Sequence, residues 1–193
     1  MKRIVVLFSG NGTNLENIAK KLPKDIKITK AITNNPDAYG IERAKRLGIE
    51  VEVIDHKKFS SREDFDKTLV NSIKAAKPHL VVLAGFMRIL TPIFTGAVKN
   101  AINIHPSLLP CFKGSGAIKR SYESGMRVAG VTIHWVEEEL DGGAIIEQEC
   151  FKRGDESLEE FEEKIHALEY ELYPRVIEKI LKPKRARHPS KRG

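Results

Sequence analysis

A chain of 193 residues, 41% of them hydrophobic, can bury a sizeable core, and one large domain suits it better than two small ones. Its formal charge of +7 excludes no partner by itself, but six Lys or Arg lie in the last twelve residues, which leaves about +1 for the body and removes the basic globule expected of a nucleic-acid binder. No run of eighteen apolar residues occurs, the opening MKRIVVLFSG is too short for a leader, and Cys111 and Cys150 lack CxxC or Cys/His spacing, so a membrane span, a disulfide framework and a metal site are not expected and a cytoplasmic protein is.

The chain opens on a near-continuous apolar run, Arg3 to Ser9, which predicts a buried strand; Thr13 then reads as the N-cap of a helix over NLENIAKKL. IKITKAIT (Ile26 to Thr33) is a second strand, DAYGIERAKRLGI a helix ending near Gly48, and Val51 to Ile54 a short strand. Ser61, with Asp64 three residues on, caps an amphipathic helix over REDFDKTLVNSIKAAK, and HLVVLAGF is the fourth strand. Such strand-helix-strand repeats mean a parallel sheet with helices on both faces.

After AINIH the pattern changes. A proline-rich loop leads to a short helix near Ser115 to Glu123, then to two strands, RVAGVTIHWV and GAIIEQECF, whose short connection makes them antiparallel neighbours. A long amphipathic helix follows, opened by Ser157 with Glu160 as a capping box. Residues 1–181 thus read as a single domain, and 182–193 (KPKRARHPSKRG) as a basic, disordered tail without a functional role. In open α/β sheets ligands gather beyond the carboxyl ends of parallel strands, which selects the loops after Phe8, Leu83 and Ile104.

SGNGTNL (Ser9 to Leu15) begins like a dinucleotide fingerprint, but Leu15 stands where the third glycine belongs and the second strand ends in ITNNP without an acid for a ribose hydroxyl. Read alone, it is either a phosphate cradle made by Gly12, Thr13 and Asn14 or a plain strand-to-helix turn. Asn103 and His105 share parity on an extended segment, so their side chains leave one side of the strand. Either alone is more often structural; together at the ligand edge they suggest chemistry. In ELDGGAI, Asp141 is either part of an ordinary Asp-Gly turn or a carboxylate facing His105 and holding its imidazolium. An amide, an imidazolium and a carboxylate without an activated nucleophile suit acyl transfer directly between two bound substrates: donors for the oxyanion and an acceptor for the amine's proton.

VVLFSGNGTNL, LVVLAGFMRIL, AINIHPSLLP and ELDGGAII, in that order and spacing, make the chain resemble the phosphoribosylglycinamide formyltransferase family from about Arg3 to Ile180. The resemblance implies the formyltransferase α/β fold: a mostly parallel twisted sheet, helices on both faces, and an antiparallel strand near its end. It implies transfer of a formyl group from the co-substrate 10-formyltetrahydrofolate to the amine of 5-phosphoribosylglycinamide in de novo purine biosynthesis, by direct attack through a tetrahedral intermediate and without a metal. By motif position Asn103, His105 and Asp141 match the catalytic set. Gly12, Thr13, Asn14 and Glu169 match the phosphoribosylglycinamide site. Arg62, Met87, Arg88, Ile89, Leu90 and Asn103 match folate-binding positions, and His134 a histidine near the site. The implied partners are small-molecule substrates, with no nucleic acid or membrane, for a monomer or homodimer. One departure stands out: after HPSLLP the family usually reads FPG, whereas CFKGSG stands here, and Lys113 in place of proline is expected to loosen the loop beside the glycinamide. Methionyl-tRNA formyltransferase and formyltetrahydrofolate hydrolase are the rivals on this fold, each expected to carry a further domain; a nucleotide-binding module would not need Asn103, His105 and Asp141 together.

Overall fold

The computed structural model describes residues 1–182. One seven-stranded sheet runs through it in the order β3-β2-β1-β4-β5-β6-β7. β1 (Lys2–Phe8), β2 (Ile26–Thr33), β3 (Val51–Val53), β4 (Leu80–Leu83) and β5 (Ala101–His105) are parallel, while β6 (Val128–Trp135) and β7 (Ile145–Lys152) are antiparallel. The chain moves outward from β1 to β3, then returns to place β4 on the other side of β1. That reversal leaves a crevice beyond the ends of β1 and β4, where ligands bind in sheets of this kind.

β1 shows why both faces are covered. Ile4, Val6 and Phe8 alternate with Val5 and Leu7, and all five are fully buried. The even set packs with Leu15 and Ile18 of α1 (Thr13–Lys21) and with Phe161, Ile165 and Tyr173 of α6 (Leu158–Leu181). The odd set packs with Phe65, Leu69 and Ile73 of α3 (Arg62–Ala76) and with Phe94 of α4 (Pro92–Ala97). Each such side chain taken from water stabilises the fold by roughly 1.5–3 kcal/mol. Two shorter helices, α2 (Gly40–Arg46) and α5 (Ala117–Glu123), lie on the face of α1 and α6.

Two polar details fix α6 beneath the crevice. The buried Tyr173 hydroxyl donates to the carbonyls of Leu83 (2.7 Å) and Ile102 (3.2 Å), at the centre of the sheet. Pro174 lies inside α6 and has no N–H for the Tyr170 carbonyl; that oxygen accepts instead from Asn17 Nδ2 (2.8 Å) and Lys21 Nζ (3.1 Å), so the gap in the helix becomes a tie to α1. The capping box at Ser157 and Glu160 and the Ser61 cap of α3 form as expected.

Three local expectations change. Thr13 is the first helical residue and Gly12 the N-cap, in the left-handed region at φ 73°, because a Cβ there would stand 2.5 Å from the Gly40 Cα. α2 starts at Gly40 rather than near Asp37, whose N–H is taken by Asn35 Oδ1 in a local turn. β6 and β7 are antiparallel neighbours as expected, but both strands are shorter at this end, so their connection runs from 136 to 144. The expected basic tail lies outside the described residues except for Lys182, which pairs with Asp25 at 2.6 Å. Among the described residues no helix is long and apolar enough to cross a membrane.

Candidate active site

The catalytic candidates meet at the junction of β5 and β6. Asn103 pairs across the sheet with His134, so both side chains stand on the face that His105 also uses. Loop 136–144 leaves β6 at the far end of β5 and folds back along this face. Its return depends on Gly143, where a Cβ would lie 1.9 Å from the Trp135 carbonyl oxygen, and it sets Asp141 in the left-handed region at φ 51°. Asp141 Oδ2 then lies 3.3 Å from His105 Nδ1, and Oδ1 lies 3.6 Å from His134 Nε2. Sequence parity brought out Asn103 and His105; only this fold-back joins Asp141 to them.

Hydrogen-bond chemistry restricts the protonation states. His105 Nε2 is 2.9 Å from the Phe112 carbonyl, which can only accept, and its Nδ1 faces a carboxylate. Its Nε2–H is therefore engaged by the protein in this conformation, while Nδ1 stands within ion-pair distance of Asp141. His134 Nδ1 donates to the Trp135 carbonyl (2.8 Å), and its Nε2 lies 3.2 Å from Asn103 Nδ2 and 3.6 Å from Asp141 Oδ1, so the ring sits between the amide and the carboxylate. The contact with Asn103 fixes which way that amide points and leaves its second N–H free.

Asp141 is 9% exposed and accepts the Gly114 N–H at 2.8 Å. Burial pushes its pKa up; the His134 contact, the Gly114 N–H and the charges of the two histidines outweigh that, so it lies below the ordinary 3.8. The site therefore holds a permanent carboxylate against His105.

The CFKGSG loop is tied down rather than loosened. Arg120 Nη2 of α5 donates toward the carbonyls of Phe112 (3.0 Å), Lys113 (2.5 Å) and Ser115 (2.9 Å), and Lys113 pairs with Glu139 at 2.7 Å. The Phe112 carbonyl thus bridges Arg120 and His105. Lys113 supplies a cross-link to loop 136–144 where a proline would have stiffened the backbone itself.

On the other side of the crevice, Gly12 and Thr13 begin α1, and Asn14 Nδ2 donates to Glu169 Oε2 at 3.2 Å. Asn14 Oδ1 is buried without a hydrogen-bond partner. Glu169 is 5% exposed and also meets His166 Nδ1 at 2.9 Å. Two regions far apart in sequence are therefore in direct contact.

The loop after β4 leaves Met87 and Ile89 exposed at 77% and 54%, while Leu90 packs on the α3 and α4 side of the core. The Arg88 guanidinium lies 5.2 Å from the centre of the Phe65 ring, with Nε buried and unpartnered. Arg62 opens α3 one turn before Phe65 and is exposed. A cavity of about 530 Å³ lies between α4 and loop 136–144, lined by Thr95, Lys99, Trp135, Val136 and Glu137 to Glu139. Its Thr95 Oγ1 is buried without a partner. These lining residues were not singled out in the sequence, because the short helix that carries Thr95 was not read there and Trp135 reads as strand.

The family described as formyl transferase matches residues 2–177. The chain belongs to the formyl transferase family. Within this family it is 43% identical over 182 residues to the phosphoribosylglycinamide formyltransferase of Haemophilus influenzae, covering 92% of this chain and 86% of that protein. It is 41% identical over 184 residues to the trifunctional purine biosynthetic protein adenosine-3 of Gallus gallus, covering 92% of this chain but only 18% of that longer protein. Among solved formyltransferase structures, that of phosphoribosylglycinamide formyltransferase from Campylobacter jejuni is 55% identical with a TM-score of 0.91, covering 93% of this chain and 97% of that one. The formyl transferase match spans every strand and both sides of the crevice, so the site just described falls wholly inside it.

Proposed function

We propose that this formyltransferase moves a formyl group from 10-formyltetrahydrofolate to the amine of 5-phosphoribosylglycinamide. The observation that carries the reading is the His105, Asp141, His134 and Asn103 cluster, two imidazoles and an amide N–H gathered around one buried carboxylate where a carbonyl can react.

The amine nitrogen attacks the formyl carbon, forming the new C–N bond and placing the carbonyl pair on oxygen. The free N–H of Asn103 donates to that oxyanion, and His105 acts first through its charge and directly once its Nε2 leaves the Phe112 carbonyl. A donor aimed at an oxyanion in a dry site is typically worth about 3–4 kcal/mol. The proton lost by the amine passes to Asp141 through water. Collapse breaks the bond between the formyl carbon and the folate nitrogen, which takes back through water the proton held by Asp141 as it leaves. Because the Asp141 pKa is lowered, it is a weak base, and holding His105 charged and oriented is the larger part of its role.

Gly12, Thr13 and Asn14 would take the phosphate and ribose side of the nucleotide with Glu169, in keeping with the N-terminus of α1 and the unpartnered Asn14 oxygen. The exposed Met87 and Ile89, with Arg88, Leu90 and Arg62, would hold the folate, its ring system directed toward the cavity beside Thr95 and Trp135. Following folate product by absorbance tests the reading. Turnover is expected only when phosphoribosylglycinamide is present; equal turnover without it would make the protein a hydrolase instead.

A further inference from the structure

The segment Met87–Leu90 has no regular structure, yet both ends are fixed by buried polar groups. At its start the Met87 N–H donates to Ser9 Oγ (2.7 Å), which donates onward to Asn34 Oδ1 (2.5 Å). At its end, Thr91 gives both its N–H (2.6 Å) and its hydroxyl (2.7 Å) to Oδ2 of Asp66 on α3. Thr91 is the N-cap of α4 but makes no cap bond with its side chain; its hydroxyl is turned to the carboxylate of another helix instead.

Asp66 is only 1% exposed. A buried carboxylate is seldom the most stable choice in a core, where an apolar side chain of similar volume does as well or better. Burial indeed drives its pKa up, against the Thr91 bonds and the Arg88 charge. What Asp66 supplies is direction: two donors converge on one oxygen and fix where the loop ends. Its neighbour Phe65 carries the Arg88 guanidinium at 5.2 Å, so consecutive residues of α3 hold two points of the loop. Between these points Met87 and Ile89 stand in solvent. A ligand that covers them binds a surface already ordered, and ordering a loop at the moment of binding weakens affinity.

We infer that Asp66 is a positioning residue for the folate co-substrate, holding the Met87–Leu90 loop in its binding conformation through Thr91. The inference rests on the reading of that loop as the folate site. Asp66→Ala should raise the KM for 10-formyltetrahydrofolate about tenfold or more, the size of a lost hydrogen bond to a charged group. The KM for the nucleotide and the kcat at saturating folate should stay within about twofold, since the groups around Asn103 are untouched. Asp66→Asn keeps an acceptor for both Thr91 donors and should restore most of the folate KM. Ile89→Ala, at the exposed loop itself, should raise the folate KM independently.

A folded Asp66→Ala enzyme with unchanged folate KM, beside an Ile89→Ala enzyme whose KM rises, would overturn the inference and leave the folate site standing. Both variants unchanged would overturn the site and the inference together. Equal damage to both substrates' KM without rescue by asparagine would reduce Asp66 to a structural residue. Where Asp66→Ala fails to fold, Thr91→Val decides: it keeps the N–H bond, loses the hydroxyl, and should still raise the folate KM by about threefold, the size of one neutral hydrogen bond; no rise there overturns the inference.

Discussion

Asp141 and Asp66 are both buried carboxylates, and each accepts a backbone N–H, from Gly114 at 2.8 Å and from Thr91 at 2.6 Å. Their pKa values nonetheless move in opposite directions. Burial pushes both upward. At Asp141 two imidazoles at 3.3 and 3.6 Å reverse the effect, whereas the other bonded donor to Asp66 is a neutral hydroxyl, with the Arg88 charge acting without a hydrogen bond. One loop is built to keep a charge where water is scarce, and the other to keep a backbone in place. Hydrogen bonds serve both ends, but only the first requires the charge itself.

The isosteric change to asparagine separates those roles, because an amide oxygen still accepts an N–H but carries no charge. Asp141→Asn should lower kcat by roughly 10²–10⁴-fold with the fold and nucleotide binding retained. Asp66→Asn should leave kcat within about threefold. Rates measured with both substrates saturating make the test direct. Similar losses in the two variants would show that the contrast between charge and position is false.

His134→Ala should fall between them. It leaves Asn103 free to turn its amide, so kcat should drop by roughly 10-fold, while His134→Gln, which can still accept at that position, should recover part of the loss. Recovery tells whether the ring is needed as an acceptor or as a charge beside Asp141.

Stability against pH sharpens the same contrast. The lowered pKa of Asp141 contributes stability that is fully present above its unfolded value of 3.8 and is lost as pH falls through the folded value. The raised pKa of Asp66 works the other way: the folded state holds its proton longer, so the residue costs stability as pH rises from 3.8 through its folded value. Urea unfolding between about pH 3 and 6 should therefore show the wild type losing its advantage over Asp141→Asn on acidification. Against Asp66→Asn it should instead lose ground as pH rises. Parallel curves would mean that the two carboxylates ionise alike.

These differences also mark what the sequence could convey. The parallel sheet was legible because apolar runs alternate with capped helical patterns, and Asn103 with His105 because a strand has a period of two. The place of Asp141 depended on a loop folding back over a sheet face through Gly143, and nothing local distinguishes that from an Asp-Gly hairpin. His134 became interpretable only through its register with Asn103. The loosening expected of CFKGSG failed because nothing in the sequence turns Arg120, five to eight residues further on in α5, back onto its carbonyls. Asp66 did leave a signal: it precedes Leu69, Val70 and Ile73 by three, four and seven residues, which puts a carboxylate on the apolar stripe of α3.

A third buried carboxylate meets a more exposed histidine and should give the smallest effect. Glu169 is buried, but its partner His166 keeps 45% of its side chain exposed. The hydrogen bond with Glu169 raises the His166 pKa above 6.5, against partial burial. A raised histidine contributes stability that is fully present below 6.5 and disappears as pH rises through its folded value. His166→Ala should therefore melt about 1–2 °C below the wild type near pH 6 and level with it near pH 9, the small size reflecting solvent screening of an exposed partner. The nucleotide KM should shift by less than about threefold, because Asn14 still holds Glu169 at 3.2 Å. A melting deficit that is the same at both pH values would mean that His166 supports α6 by packing on Tyr170, with which its ring stacks, and not through a charge beside Glu169.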